Sequence, residues 1–236
     1  MPTKAVPWIK VVVHVLLLIP VALLFRDYQS GALANQADPV NYITHLTGDW
    51  ALWILLMSLA VTPVRRIHSS LAWLIRLRRM IGLYAFFYAT LHLATYVFLF
   101  SGYDTATAID GLRHGKLGEP FHQFALAWPA IWVDITKRKF IQVGFAAWVI
   151  LLALTITSPQ RVLRWMGGKN WQRLHRLVYL AGIAAVIHYW WLVKTGVTRP
   201  LPDTLVLALL LGIRVVFAIM KRVRSGRSVP VTSASV

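Results

Sequence analysis

The sequence contains no cysteine. Disulfide bonds and thiolate-coordinated metals are therefore excluded, and so is covalent attachment of a c-type haem, which requires a Cys-x-x-Cys-His motif. Glycine-rich phosphate-binding patterns are missing as well. No Gly-x-Gly-x-x-Gly or Walker sequence occurs, and the pair Gly167-Gly168 follows no predicted strand. The chain is therefore not expected to bind a nucleotide through a glycine-rich loop.

Charged residues are scarce, at 14% of the chain against roughly 25% in soluble proteins. Hydrophobic residues make up 58%, and they gather in runs long enough to cross a bilayer. This pattern predicts an all-α, polytopic membrane protein built as a six-transmembrane-helix bundle. The predicted spans cover residues 7–25, 49–64, 80–101, 140–157, 174–194 and 203–220.

Acidic residues are rarer still, since the chain has eight against 25 lysines and arginines. All eight acids fall on one side of the predicted membrane. The basic loops 65–79 and 158–176 and the basic tail fall on the other side, so the positive-inside rule predicts cytoplasmic termini in a bacterial inner membrane. Because the charges lie in short loops beside apolar spans, the net charge of +17 is not taken as a sign of nucleic-acid binding. The acids are Asp27, Asp38, Asp49, Asp104, Asp110, Glu119, Asp134 and Asp203.

Residues 1–220 are predicted to form the membrane domain, and residues 221–236 a disordered basic cytoplasmic tail. The motif Ala32-Leu33-Ala34 resembles a signal-peptidase site, so the first span is either cleaved or, as we expect, retained. The cytoplasmic loops are too short to fold as a nucleotide-binding domain. Any electrons that pass through this chain must therefore come from a separate donor.

The outer loop 102–139 is the longest connection and carries the aromatic sequence FHQFALAWPAIWVDI. Tryptophan favours the membrane–water interface, so one interpretation is a segment lying on the lipid headgroups. A docking surface for an outer partner is the compatible alternative. The cluster Lys137, Arg138 and Lys139 is a basic exception on this side.

Histidines mark two of the spans. His92 lies about 18 Å and His188 about 21 Å from the cytoplasmic start of its span, so the two are predicted to be level in the outer half. Two neutral imidazoles facing each other across a bundle are the usual axial ligands of a low-spin b-type haem, which here would have to be held without a covalent bond. Each needs its other ring nitrogen held by a carbonyl or hydroxyl group. The alternative is a hydrogen-bonded contact between helices.

A third histidine, His175, lies near the cytoplasmic end of its span, thirteen residues from His188. On a straight helix the two would point about 140° apart; Gly182 permits the distortion that one shared cavity would need. The candidates for a second ligand at this level are His14 and His68. The remaining histidines are predicted to lie in solvated loops: His45, His114 and His122.

Three arginines lie within or at the start of predicted spans, and their roles need interpretation. Arg78 and Arg79, at the start of the third span, are either ordinary cytoplasmic charges or partners for haem propionates or a flavin phosphate. Arg214 is interior to the last span and is expected to snorkel towards the cytoplasm.

The segments RRMIGLYAFFYATLH and WQRLHRLVYLAGIAAVIHYWW, with their histidine spacing, resemble the MsrQ (formerly YedZ) family. These proteins are haem-binding membrane subunits of periplasmic protein-methionine-sulfoxide reductase systems, and they belong to the ferric-reductase-like transmembrane domains. The resemblance covers essentially all six spans. It implies haem b, with FMN as a further cofactor, and carries the haem ligands over to His92, His175 and His188. The wider superfamily has two histidines on each of two helices, whereas the third span here has one.

The resemblance also implies electron transfer from the quinol pool or a cytoplasmic flavin reductase. The acceptor would be a periplasmic molybdopterin subunit, MsrP-like, that reduces methionine sulfoxide in oxidised proteins; the chain itself would be an electron-transfer subunit without substrate chemistry of its own. Two alternatives stay open. One is a transmembrane reductase component for ferric ions or small oxidants, and the other is a haem-free membrane scaffold or transporter.

Overall fold

The computed structural model describes residues 6–194 and 196–227, with the side chains described up to residue 223. The described residues fold as a multi-pass, all-helical membrane protein, as predicted. Its helices are α1 (Val6–Gln29), α2 (Pro39–Ile67), α3 (Ile75–Thr95), α4 (Thr105–Arg113), α5 (Glu119–Lys137), α6 (Lys139–Ile156), α7 (Gln160–Met166), α8 (Gly168–His175), α9 (Val178–Leu192) and α10 (Leu201–Arg227).

Five helical segments of the described chain are long and apolar enough to cross a bilayer. Four of them contain α1, α2, α3 and α6, and the fifth is the part of α10 up to Val223. The sixth crossing is α9, whose 15 residues rise about 22 Å. Alternation of the crossings separates two faces. The basic face carries loops 65–79 and 158–176, and the acidic face carries α4 and α5.

The second crossing begins ten residues earlier than the predicted start at residue 49. Asp38 caps α2 by accepting a hydrogen bond from the Asn41 amide at 2.9 Å, and Pro39 takes the first helical position. The sequence prediction failed here because this first part of α2 is polar. As a result His45, predicted to lie in a solvated loop, is a helical residue inside the bundle.

The centre of the bundle is α2, which packs mainly on α3, while α6 packs mainly on α9. The side chains of Ile54 and Leu59 in α2, and of Tyr88 in α3, are fully buried in the core. Helix α1 is peripheral, and the Tyr88 hydroxyl ties it to the bundle by donating to the Leu17 carbonyl at 2.7 Å. Burial of this hydroxyl is tolerable because the carbonyl satisfies it.

Arg214 of α10 turns into the bundle instead of snorkelling. Its guanidinium donates to the Tyr179 hydroxyl at 2.8 Å and to the Leu59 carbonyl of α2. Leu59 lies four residues before Pro63, which has no N–H to offer that carbonyl. The arginine therefore replaces the hydrogen bond that the proline removes, and this explains why a cation is placed within the last crossing.

The predicted span 174–194 is not one continuous helix. It is interrupted at Arg176 and Leu177, directly after His175, so that α8 and α9 are separate. Gly182 does not supply this distortion; it lies inside α9, where an added Cβ would come within 3.3 Å of a Leu207 methyl group. The glycine serves close packing of α9 on α10.

At the carboxyl end, α10 continues to Arg227, seven residues into the segment for which we expected disorder. Basic side chains are favourable at the carboxyl end of a helix, where they meet the negative end of its dipole. The rest of the predicted tail, 228–236, lies outside the described residues.

Candidate cofactor site

A cavity of about 540 Å³ opens among α2, α3, α6 and α9, in the half of the bundle near the acidic face. Its walls are mostly apolar. One stripe of α5 covers it, with Phe124, Trp128, Ile131 and Ile135 spaced three or four residues apart along that helix. A cavity of this size and lining is typical of a site for a cofactor.

His92 of α3 and His188 of α9 face each other across this cavity. Their ring centres are 6.0 Å apart and their ring planes are inclined by 82°. The depth argument from the sequence placed the two at one level, and the structure brings their side chains together. Their role as iron ligands stays a prediction.

Each imidazole is held by a backbone carbonyl. The Nδ1 atom of His92 lies 3.1 Å from the Thr44 oxygen, and that of His188 lies 2.7 Å from the Phe140 oxygen. A carbonyl oxygen only accepts, so Nδ1 must carry the proton in both rings. The lone pair is left on Nε2, as in metal-bound histidines whose other nitrogen is fixed by a carbonyl.

Two glycines make room for the rings. An added Cβ at Gly48 would come within 3.1 Å of His92, and one at Gly144 within 2.6 Å of the His188 Nδ1. Each glycine lies four residues after the carbonyl that holds the ring, Thr44 in α2 and Phe140 in α6. The same separation of 48 residues divides each histidine from its carbonyl. The α2–α3 and α6–α9 pairs thus hold their imidazoles in the same way.

This arrangement fits a haem with two imidazole ligands. Imidazole–metal bonds are about 2.0–2.1 Å long at zinc. With a similar length at iron, two ligating nitrogens lie roughly 4 Å apart and the ring centres roughly 6 Å apart. The observed 6.0 Å matches this separation. Within the described residues, no group of three or more histidine, aspartate or glutamate side chains could hold a metal ion.

His175 lies apart from this pair, at the end of α8 near the basic face. Its Nε2 is 3.2 Å from the Thr157 hydroxyl, and its ring stacks on Trp171 with centres 3.8 Å apart. His14, a candidate second ligand, lies on the outside of the bundle and shares a 2.8 Å hydrogen bond with the Tyr84 hydroxyl. His68 is exposed at the end of α2. The structure therefore brings neither candidate to His175.

Arg78 and Arg79 lie near the start of α3 and do not line the cavity. Arg78 is half-buried and close enough to His175 to interact with it electrostatically, whereas Arg79 is exposed. Thr90 and Thr95, near His92 in the sequence, do not hold its ring. Thr90 accepts a hydrogen bond from the Trp148 indole at 3.1 Å.

Two features of the cavity escaped the sequence prediction. His45 lines it, because α2 begins earlier than expected. At the α5–α6 junction, Asp134 forms an ion pair with Arg138 at 2.9 Å. Asp134 also accepts a hydrogen bond from the Tyr96 hydroxyl at 2.9 Å. All three side chains line the cavity. The four-residue spacing of Asp134 and Arg138 was the available signal for this ion pair. The exposed His114 and His122 lie outside the cavity.

Residues 47–186, which include His92 and end two residues before His188, match the family described as ferric reductase like transmembrane component. No solved structure matches the chain significantly.

Curated relatives align over most of the chain. A protein of Xanthomonas axonopodis pv. citri (strain 306) is 45% identical over 210 residues, which cover 87% of this chain and 85% of that protein. One from Xanthomonas oryzae pv. oryzae (strain MAFF 311018) is 43% identical, covering 94% and 92%. One from Herminiimonas arsenicoxydans is 41% identical, covering 79% and 75%. All three are named protein-methionine-sulfoxide reductase heme-binding subunit MsrQ.

Proposed function

This chain belongs to the MsrQ family of ferric-reductase-like transmembrane components, and we propose that it is a membrane cytochrome b that passes electrons across the bacterial inner membrane. The observation that carries the proposal is the pair His92 and His188. Their rings lie 6.0 Å apart across an apolar cavity, each with Nδ1 on a backbone carbonyl.

In this proposal His92 and His188 would hold one haem b through their Nε2 atoms. When bound, the haem supplies a one-electron redox couple within the membrane. The chain's own residues hold the imidazoles in one tautomer, through the Thr44 and Phe140 carbonyls, and the apolar walls limit the access of water. A dry, hydrogen-bonded surrounding of this kind tunes the redox potential of a metal centre.

We further propose the direction of electron flow. The acceptor would be a periplasmic molybdopterin subunit of the MsrP type that reduces methionine sulfoxide in oxidised proteins, in keeping with the name of the relatives. The donor would be the quinol pool or a cytoplasmic flavin reductase. This orientation places both termini and the basic face in the cytoplasm, and the cavity half with α5 towards the periplasm.

For the basic face we propose a second cofactor site made by His175, Arg78 and Arg79. The support is positional, because Arg78 lies near His175 at the end of the bundle opposite the cavity. A second haem would use the imidazole, and FMN would use the arginines for its phosphate. In this scheme residues 1–220 form one haem domain, followed by the basic tail.

The test of the proposal is the spectrum and reactivity of the purified protein. We expect a red, low-spin preparation whose haem is extractable by acid acetone, because no cysteine can attach it. Once reduced, it should be reoxidised by the periplasmic subunit. Rapid reoxidation by ferric ions without that subunit would favour a ferric reductase component, the second candidate, which the family description supports. A colourless, folded preparation from haem-replete cells would contradict both and favour a scaffold or transporter.

A further inference from the structure

Haem carries two propionate groups, which are anionic at neutral pH and must be accommodated at the cavity. A buried carboxylate without a partner is costly in a membrane protein. The carboxylates are therefore expected at a water-facing rim of the cavity, next to a cation. The need for that cation follows from the haem site proposed above.

One basic side chain meets the requirement. Within the described part of the chain, Arg138 is the single lysine or arginine that lines the cavity. It is the residue that joins α5 to α6, so two helix ends fix its backbone, and its side chain is 57% exposed at the acidic face. Arg78 and Arg79, at the other end of α3, do not line the cavity.

The Arg138 side chain is oriented so that its guanidinium can bind one further anion. Its Nε edge is paired with Asp134 at 2.9 Å, and Asp134 is itself held by the Tyr96 hydroxyl at 2.9 Å. A guanidinium has five N–H donors, four of them on the two Nη atoms. Those Nη atoms form no hydrogen bond to any residue that the structure describes. The Nη edge is thus free to bind a carboxylate with two parallel hydrogen bonds.

We propose that Arg138 anchors a propionate of the haem and so fixes its orientation, with the propionates at the α5–α6 junction. Asp134 and Tyr96 act as positioning residues that hold the guanidinium edge-on to the cavity. Haem binding then depends on two independent sets of contacts. The histidines bind the iron, and Arg138 binds the carboxylate at the outer rim.

The test measures haem release from the full-length protein in detergent, by transfer to excess apomyoglobin. Arg138→Gln removes the anchor and is expected to speed release about tenfold or more, since charge-assisted hydrogen bonds to carboxylates are strong. The low-spin spectrum should persist because both histidines remain. Lys137→Gln is the matched control; it removes the same charge from the neighbouring exposed residue, which does not line the cavity, and should change the rate less than twofold.

Loading wild type and Arg138→Gln with haem dimethyl ester shows whether Arg138 binds a propionate directly or affects haem release indirectly. The ester has no carboxylate to bind, so wild type and Arg138→Gln should release it at the same rate. A faster release that persists with the ester would overturn the proposal and show that Arg138 acts through folding. Equal release of native haem by Arg138→Gln and Lys137→Gln would overturn it as well.

If Arg138→Gln fails to fold, Arg138→Lys provides the measurement. This substitution keeps the positive charge but loses the forked geometry of the guanidinium. Release of native haem should therefore be faster than from wild type but slower than the rate expected when the anchor is lost. Release of the ester should equal that of wild type. An Arg138→Lys rate equal to wild type for native haem would contradict the anchor. A wild-type protein without a low-spin spectrum would overturn the proposed function as well as this inference. The outcomes described above, by contrast, overturn only the role of Arg138.

Discussion

Gly144 of α6 lies directly against the imidazole of His188, so closely that an added Cβ would come within 2.6 Å of Nδ1. The same helix supplies the Phe140 carbonyl that holds this nitrogen. One turn of α6 thus both makes room for the ring and fixes its tautomer. On the other side of the cavity, Gly48 and Thr44 do the same for His92.

We therefore predict that Gly144→Ala displaces His188 and lowers haem content severely, measured as a pyridine haemochrome per folded protein. Gly48→Ala should have a milder effect, because its Cβ would lie 3.1 Å from His92. Gly212→Ala is the control, since nothing lies within 4 Å of the Cβ it would add. Equal haem content in Gly144→Ala and Gly212→Ala would show that the close approach does not matter for the site.

A second prediction concerns the proline in α2. Arg214→Met removes the donor to the Leu59 carbonyl and should cost about 1–3 kcal/mol of stability, the usual penalty for a buried acceptor left unsatisfied. Pro63→Ala supplies a backbone N–H for the same carbonyl. Arg214→Met should therefore cost less in the Pro63→Ala background, which a double-mutant cycle of unfolding in detergent would measure. Arg76→Met, exposed on the basic face, is the control. Strictly additive effects of the two substitutions would contradict this account.

A third prediction separates two roles along α5. Phe121 and Trp132 are 78% and 55% exposed, and neither lines the cavity, whereas Phe124 and Trp128 do. Replacing Phe121 and Trp132 with serine should leave haem content normal and slow reoxidation of the reduced protein by the proposed periplasmic subunit, if that subunit docks on α5.

Replacing Trp128 with alanine is the contrasting change. It should instead loosen the haem, because it opens the covering of the cavity. Unchanged transfer rates in the serine variant, with intact haem, would show that the partner docks elsewhere. The basic cluster 137–139 should make the docking rate fall with added salt if the partner is acidic.

The rise per residue of an α-helix was enough to predict that His92 and His188 lie at the same depth, because it converts a position in the sequence into a depth in the membrane. It could not predict the start of α2, since the polar residues Asn41, Thr44 and His45 read as a loop until the Asp38 cap is recognised. The interruption at Arg176 and Leu177 is marked by neither glycine nor proline. No feature of the sequence distinguishes an α5 that lies on lipid from one that covers a cavity, because either role requires the same amphipathic pattern.

The measurement that tests the central claim most directly is a reduced-minus-oxidised spectrum with haem quantitation on single histidine variants. His92→Ala and His188→Ala should each remove the same low-spin b-type component, since each takes away one of two ligands to one iron. His175→Ala should spare that component and alter a different centre, and the exposed His114→Ala should match wild type. Retention of the low-spin component in either His92→Ala or His188→Ala would contradict a haem held between the two rings.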